Sequence, residues 1–373
     1  MQRALRKFIR RVVSSLGTLS LVASAMVLLV ACRNSPESLS GNGAKVVSPR
    51  KAHLIQVAHV PLPTARAVAL QGRFVWVAQN FAGATLLDLS DPTSPTIVRR
   101  FAPTDLQPLH FQVVDKPPTL VVADRFRGLV IWDVASPDQP TSLSELRLPG
   151  IATHVDVFTF NGRRLAAVAC GGEGLTVCDI TDPRAPRIVA HANRGTDYSR
   201  RVKTVGRLIL LADNFDGGLK VFGLRDSLEL VPYYQVRIPG FCEAVAVKED
   251  LVFCAYRTYG TAIFRLKNVP TNESALDTPP TLELLCQLYR TKDYVRDVVP
   301  LENDFLAVLN SEGGVDLYDV RDPQAPLLVS DFLTPDVAMS AAVLHNWVCV
   351  AAWDAGLLVT RLEVQPKSAA VPE

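Results

Sequence analysis

The sequence predicts an all-β fold made by sevenfold repetition of one four-stranded unit. One observation is a recurring strand-and-turn motif: LLDLSDPTSP at 86–95, VIWDVASPDQP at 130–140, TVCDITDPRAP at 176–186 and DLYDVRDPQAP at 316–326. A second is a ladder of glycines, Gly83, Gly128, Gly174, Gly218, Gly260, Gly314 and Gly356, spaced 45, 46, 44, 42, 54 and 42 residues apart. Periods in this range mark propellers or helical arrays, and the β-branched alternation within each unit selects strands. The third is that the seventh unit lacks a last strand, while HLIQVAHVPLP at 53–63 stands ahead of the first unit with nothing to pair. The expected architecture is a seven-bladed β-propeller of four-stranded blades, the last blade closed by the N-terminal strand.

Each element has a local reason. A short apolar run such as AVAL at 67–70 or AVAV at 244–247 makes the first strand. The second strand ends near a fixed small residue: FVWVA at Ala78, LVVA at Ala123, LAAVA at Ala169, WVCVA at Ala351. The third strand opens on the ladder glycine and carries the Asp. Proline fixes φ in the turn that follows and Asp side chains bond turn amides, after which a run such as TIVRRF forms the fourth strand. Taking 53–63 as the missing strand (compare YYQVRIPG at 233–240) removes the open edge that would invite aggregation.

The ends have a different character. Residues 1–31 hold Arg3, Arg6, Lys7, Arg10 and Arg11 and no acid, and residues 12–31 are uncharged and apolar, the pattern of a secretory signal. The run ends in Leu29-Val30-Ala31-Cys32, which resembles a bacterial lipobox. That resemblance implies cleavage before Cys32, with diacylation (palmitate or a similar chain) on its sulfur. Arg33 follows where an Asp would signal inner-membrane retention, so the outer membrane is favoured in a Gram-negative host. The expected organisation is a signal peptide at 1–31, a lipidated Cys and polar tether at 32–52, the propeller at 53–364 and a tail without periodicity at 365–373. Five of the 39 basic residues fall in the signal, leaving 34 against 37 acidic residues, a net charge near −3. That balance argues against a nucleic-acid partner.

The strands LVIWDVASPDQP and LTVCDITDPRAP resemble the LVIVD repeat of bacterial surface and secreted propellers. The resemblance is clear in blades 1, 2, 3 and 6 and partial in blades 4 and 5, where Gly223 and Arg265 replace the Asp. It implies a binding or scaffolding propeller with no shared catalytic motif.

Candidate contacts come from the first strands, aligned on Val68, Phe111, Val155, Val202, Val245, Val298 and Ala342. Alternation is expected to turn the flanking residues toward the central channel. Most of those are Ala or apolar, but blades 2, 3 and 4 supply His110, Gln112, His154, Asp156, Arg201 and Lys203. One residue earlier, at the channel mouth, stand Arg66, Arg200, Glu243 and Arg296, with Asp124, Arg125, Asp213, Asn214, Asp216 and Trp353 on loops of the same face. Guanidinium matches carboxylate and phosphate bidentately, so this face is expected to take an anion or the acidic loop of an envelope protein or glycan partner. The bland alternative is that Asp156–Lys203 and Glu243–Arg pairs merely satisfy one another.

His110 and His154 with Asp156 have metal-ligand chemistry, but no HxH, HxxxH or CxxC spacing supports a metal, and neither metal nor cofactor is expected. An envelope hydrolase or lyase using these histidines is the alternative reading; it needs a nucleophile or paired acid, for which no motif stands out. The six cysteines after Cys32 are expected mainly as buried free thiols, with Cys242 and Cys254 the pair worth testing. The long spacing in blade 5 comes from NVPTNESALDTPPT at 268–281, expected as a loop on the opposite face. The reading is a lipid-anchored, non-catalytic envelope propeller that binds a protein or glycan.

Overall fold

The computed structural model describes residues 50–193, 198–214, 218–289 and 293–365. The expectations placed on the signal peptide, Cys32, most of the tether, Asp216 and nearly all of the C-terminal tail lie outside those residues.

The described residues form seven antiparallel sheets of four strands each, with no α-helix among them. The first strands, Ala67–Gln71, Pro108–Asp115, His154–Phe160, Ser199–Val205, Ala244–Lys248, Val295–Pro300 and Ser340–Leu344, touch in sequence around a ring, and the last contacts the first. Apolar clusters lie between adjacent blades, so both faces of every inner strand are covered. Val75 and Val77 pack toward blade 7, and Trp76 and Ala78 toward blade 2. Double-sided burial explains why second strands read as unbroken apolar runs. Fourth strands are far less covered: in Thr96–Phe101 only Phe101 is buried.

The motif Asp residues do what turn chemistry requires. Asp88, Asp133, Asp179 and Asp319 each accept a hydrogen bond from the amide two residues on, at Ser90, Ala135, Thr181 and Arg321. Asp91, Asp182 and Asp322 repeat the bond three residues later, to Thr93, Arg184 and Gln324. The ladder glycines share a left-handed backbone, with φ of +80° at Gly260 and +94° at Gly356. A methyl group there would strike main chain: the Leu288 carbonyl at Gly260 and the Val60 carbonyl at Gly356. Glycine is needed because the hairpin passes directly under the fourth strand. In every blade the pairing of third and fourth strands carries a bulge, for example between Leu86 and Leu87, which adds to the twist.

Closure follows the expected route. Ala52–Val60 pairs antiparallel with Gly356–Val364, from Ala52 opposite Val364 to Val60 opposite Leu357. Just before that strand, Arg50 makes a two-pronged bond to Asp319 of blade 6 (3.1 and 3.0 Å) and stacks on Phe305. Burial alone would raise the Asp319 carboxyl, but bonds from Arg321 and Arg50 hold it at about 2.

The blade 5 insertion lies between Thr261–Lys267 and Thr281–Leu288, a third-to-fourth-strand loop on the face opposite the channel mouth. It is clamped: Leu276 is buried, Tyr233 and Tyr234 donate to the Leu276 and Pro280 carbonyls, and Arg225 pairs with Glu273. Gly223, one of the departures from the repeat, has Leu276 and Tyr233 where a side chain would sit. The departure in blade 4 therefore makes room for the insertion in blade 5. Cys170, Cys178, Cys242, Cys254, Cys286 and Cys349 are buried and outside any disulfide among the described residues, and burial pushes the Cys170 thiol to about 11 and Cys349 to about 12. Cys242 does contact Cys254, beside Tyr256.

Gly260→Ala combines a left-handed φ with a main-chain collision, so it should lower unfolding free energy by roughly 2–4 kcal/mol in chemical denaturation. Gly72→Ala, at a positive φ with open space around it, should cost about 1 kcal/mol. Equal costs would show that the hairpin-to-strand approach is not the constraint.

Candidate binding site at the channel mouth

Each blade contributes one residue to the mouth of the channel, just before or within the start of its first strand. In blades 1, 3, 5 and 7 the residue is held by its own amide: Arg66, Thr153, Glu243 and Met339 donate to the carbonyls of Ala78, Ala169, Ala255 and Ala351. Blades 2, 4 and 6 instead carry a bulge at the same height, between Pro108 and His110, Ser199 and Arg201, and Val295 and Asp297. The extra residues are Leu109, Arg200 and Arg296. A bulge re-aims a side chain, and here it does so toward the mouth. These seven residues, with Ala67, His110, His154 and Arg201, line a cavity of about 90 Å³.

Of the predicted contacts, Arg66, His110, His154, Arg200, Arg201, Glu243 and Arg296 thus converge on one cavity, while Asp156 and Lys203 lie outside its lining. The expected orientation of the first strand needs correcting. The residue before the leading apolar position does reach the cavity, at Ala67, His110, His154 and Arg201, but the residue after it turns toward the next blade, as at Ala69 and Asp156. Ala67 and Ala69 pack in the cluster between blades 1 and 2, and Val68 in that between blades 7 and 1. A propeller blade offers both sheet faces to its neighbours, so only the ends of inner strands meet the channel. The alignment of blade 7 also shifts by one: Ala351 sits opposite Ser340, as Ala78 sits opposite Ala67, so Ala341 is the counterpart of Val68.

Polar residues at these positions therefore bridge blades. Asp156 accepts from Lys203 Nζ at 2.7 Å and from the amide and hydroxyl of Thr204 in the next blade. Arg201 reaches past blade 5 to Asp297 of blade 6 at 2.7 Å. Burial pushes the Asp297 carboxyl above its ordinary value, with Arg201 opposing. Glu243 is approached by Arg200 at 3.4 Å and bonded by Arg257. The pairing alternative is thus correct for Asp156 and Lys203, and for Glu243.

His110 and His154 stack with ring centroids 3.6 Å apart and planes at 24°. Burial, then the charges of Arg201 and Lys203 around them, drives both imidazoles well below their ordinary value, so both are neutral at pH 7. Lone pairs lie in the ring planes, and rings stacked face to face do not converge on one ion within metal-ligand reach. Among the described residues no group of three or more His, Cys, Asp or Glu side chains is placed to hold a metal ion.

The same face carries residues that the sequence reading passed over. Phe81, Phe126 and Tyr259 stand exposed on second-to-third-strand hairpins, and Tyr289, Tyr294 and Leu333 on the links between blades. Arg125 stacks under Phe81 at 4.5 Å and bonds Asn80. The signal was present: an aromatic lies one or two positions before the ladder glycine in NFAG, RFRG and RTYG. A much larger groove, about 1050 Å³, runs between the fourth strands of blades 3 and 4 past His191, Phe222 and Tyr233. It lies open along the fourth strands, with His191 bonded to Thr176 and Lys220 to Asp213, whereas the mouth cavity gathers charged side chains from several blades.

With this geometry in view, the comparisons are consistent. Residues 64–102 and 337–360 match the LVIVD repeat. Both stretches take in a first strand of small apolar residues, in blades 1 and 7, whereas blades 2 to 4 carry the polar substitutions described above. No curated protein is detectably similar in sequence. Among solved structures, the WD40 β-propeller domain of Doa1 is similar with a TM-score of 0.60 at 13% identity, over 85% of this chain and 97% of that one. The computationally designed Ika8 protein is similar with a TM-score of 0.58 at 12% identity, over 82% and 99%. Likeness at this identity speaks to fold alone. The class is therefore a seven-bladed β-propeller. More particularly, it is a propeller in which two stretches match the LVIVD repeat, a combination that suggests a protein-binding or scaffold module.

The histidine pair has a pH signature. An imidazole held neutral by the fold contributes stability that is complete above its unfolded value near 6.5. That contribution is lost as pH falls below 6.5, because the unfolded chain then takes up a proton that the folded chain refuses. The slope is about 1.4 kcal/mol per pH unit for each such histidine. His154→Phe keeps a stacked ring and should remove one increment of that slope between pH 6 and 5, read from denaturant midpoints. An unchanged slope would mean that the pair is protonated in the fold.

Proposed function

We propose that the protein is a non-catalytic binding module of the bacterial cell envelope, held to the membrane by a lipid on Cys32, that presents its channel-mouth face to an envelope protein. The observation that carries this reading is the gathering of Phe81, Phe126, Tyr259, Tyr289, Tyr294 and Leu333 on one face of a rigid ring, around an arginine-rich centre. Exposed aromatics interleaved with arginines are what binding hot spots are made of. Rigid hairpins reduce the ordering cost of association. The opposite face is occupied by Asp-Pro turns and the clamped insertion, and offers no comparable cluster among the described residues.

The test is affinity purification from detergent-solubilised envelope, with wild type compared against the triple variant Phe81→Ala, Phe126→Ala, Tyr294→Ala after both are shown to be folded. Recovery of the partner should fall about tenfold or more. Equal recovery would move the binding surface elsewhere, first to the blade 5 insertion. For the anchor, Cys32→Ser should abolish incorporation of radiolabelled palmitate and release the protein from the membrane fraction. Retention and labelling of that variant would overturn the lipid assignment.

The alternative, an envelope hydrolase or lyase, would use neutral His110 or His154 as base. The two rings are stacked on each other, and the other polar groups of the cavity are mainly guanidiniums, which suits holding an anion better than attacking a substrate.

A further inference from the structure

We propose that the channel mouth is an oxyanion site, in which Arg66, Arg200 and Arg296 together hold a single carboxylate or phosphate group. This deepens the binding reading and rests on the same face, but its test reads small anions alone.

Three features of the geometry support it. The arginines come from blades 1, 4 and 6 and are aimed at one cavity by main-chain placement, two of them by bulges that nothing in the blade repeat requires. The local carboxylates are already engaged: Glu243 by Arg257 and Arg200, Asp297 by Arg201, Asp156 by Lys203 and Thr204. The Arg66 guanidinium makes no hydrogen bond or ion pair among the described residues. Arg200 Nε is buried and approaches Glu243 without a hydrogen bond, and His154, 8% exposed on the cavity wall, has an unpartnered Nδ1.

The balance of charge around the cavity is one-sided. Four guanidiniums line the cavity against one carboxylate. Burial first, then the nearby charges of Arg200, Arg201 and Arg125, lower Arg66 to about 10. Such an arrangement stores repulsion that an anion relieves, and planar guanidiniums are the groups that bind oxyanions bidentately. Leu109, Met339 and Ala67 complete the wall beside Thr153 and the two histidines. Size limits the ligand. The cavity is small, about 90 Å³, and suits the compact head of an oxyanion.

The arrangement has a testable cost. If the arginines are kept for an anion, removing one should leave the anion-free protein no less stable while destroying the response to the anion. The experiment is thermal unfolding of the full chain in detergent at pH 7.5 and constant ionic strength. Sodium chloride serves as the baseline, with sodium phosphate, sodium acetate and the tripeptide Gly-Glu-Gly as probes. At least one probe should raise the wild-type Tm saturably, as binding to the folded state requires. Arg66→Gln should abolish that rise and, without anion, unfold at the same temperature or on the order of 2 °C higher. Arg127→Gln, which alters an arginine of the same face that pairs with Glu145 outside the cavity, should respond as wild type does. Should Arg66→Gln not fold, Arg296→Gln takes its place, with an expected weakening of about tenfold in apparent Kd.

A response to phosphate alone identifies a free or headgroup phosphate as the source. A response to the tripeptide exceeding that to acetate identifies a partner's acidic side chain. No response of the wild type to any probe, or an equal response of wild type and Arg66→Gln, overturns the site. An anion response without a recovered protein partner would keep this site and remove the partner reading, and the converse result would do the reverse.

Discussion

A ring of blades closes only if its last sheet is completed from the other end of the chain, and every other feature of this molecule depends on that pairing. Ala52–Val60 supplies the fourth strand of the blade that begins at Ser340. Its contribution is not only one more strand. The cluster between blades 7 and 1 contains Val60 and Leu62 together with Val75, Val77, Cys349 and Leu357, so closure and core are formed by the same residues. The salt bridge from Arg50 to Asp319 extends the hold to blade 6. Such a seam concentrates long-range contact into one event, because loop-closure entropy must be met before the pairing stabilises anything.

Closure places all seven first strands around one axis, and that crowding decides which side chains they tolerate. Blades 1, 5 and 7 use Ala and other small residues there. Blades 2, 3 and 4 use His, Asp, Arg and Lys, and each finds a partner in a neighbouring blade or across the centre. Buried pairs of this kind add little net stability compared with apolar residues, since desolvation offsets most of the attraction. Their presence on one side of the ring, next to three arginines at the mouth, therefore has no structural economy behind it. That placement is what the proposed binding role would require.

The two faces of the ring divide labour by turn type. The face with the third-to-fourth-strand turns is shaped by Asp and Pro, whose side chains are consumed in bonding their own backbone. The mouth face has glycine hairpins held tightly under the fourth strand, and their remaining residues are free to be large and exposed. Phe81, Phe126 and Tyr259 follow from that geometry: the glycine bears the backbone constraint, and a position one or two residues before it points into solvent.

The sequence by itself determined the blade number, the strand order, the Asp-Pro turn chemistry and the closing strand. Each of these is a local rule repeated with a period, and repetition makes a weak local signal strong. It also showed most of the mouth, since Arg66, Arg200, Glu243 and Arg296 stand in comparable places before their first strands. What it did not carry was the bulges in blades 2, 4 and 6, the one-residue shift of blade 7, the stacking of His110 on His154, and the reach of Arg201 to Asp297. Those depend on which residue of a strand is left out of pairing and on distances between blades far apart in the chain, and only the closed ring decides them. The room made at Gly223 for Leu276 is of the same kind. Periodicity determines how many strands there are and which way they face; the packing of one blade against the next determines which side chains meet.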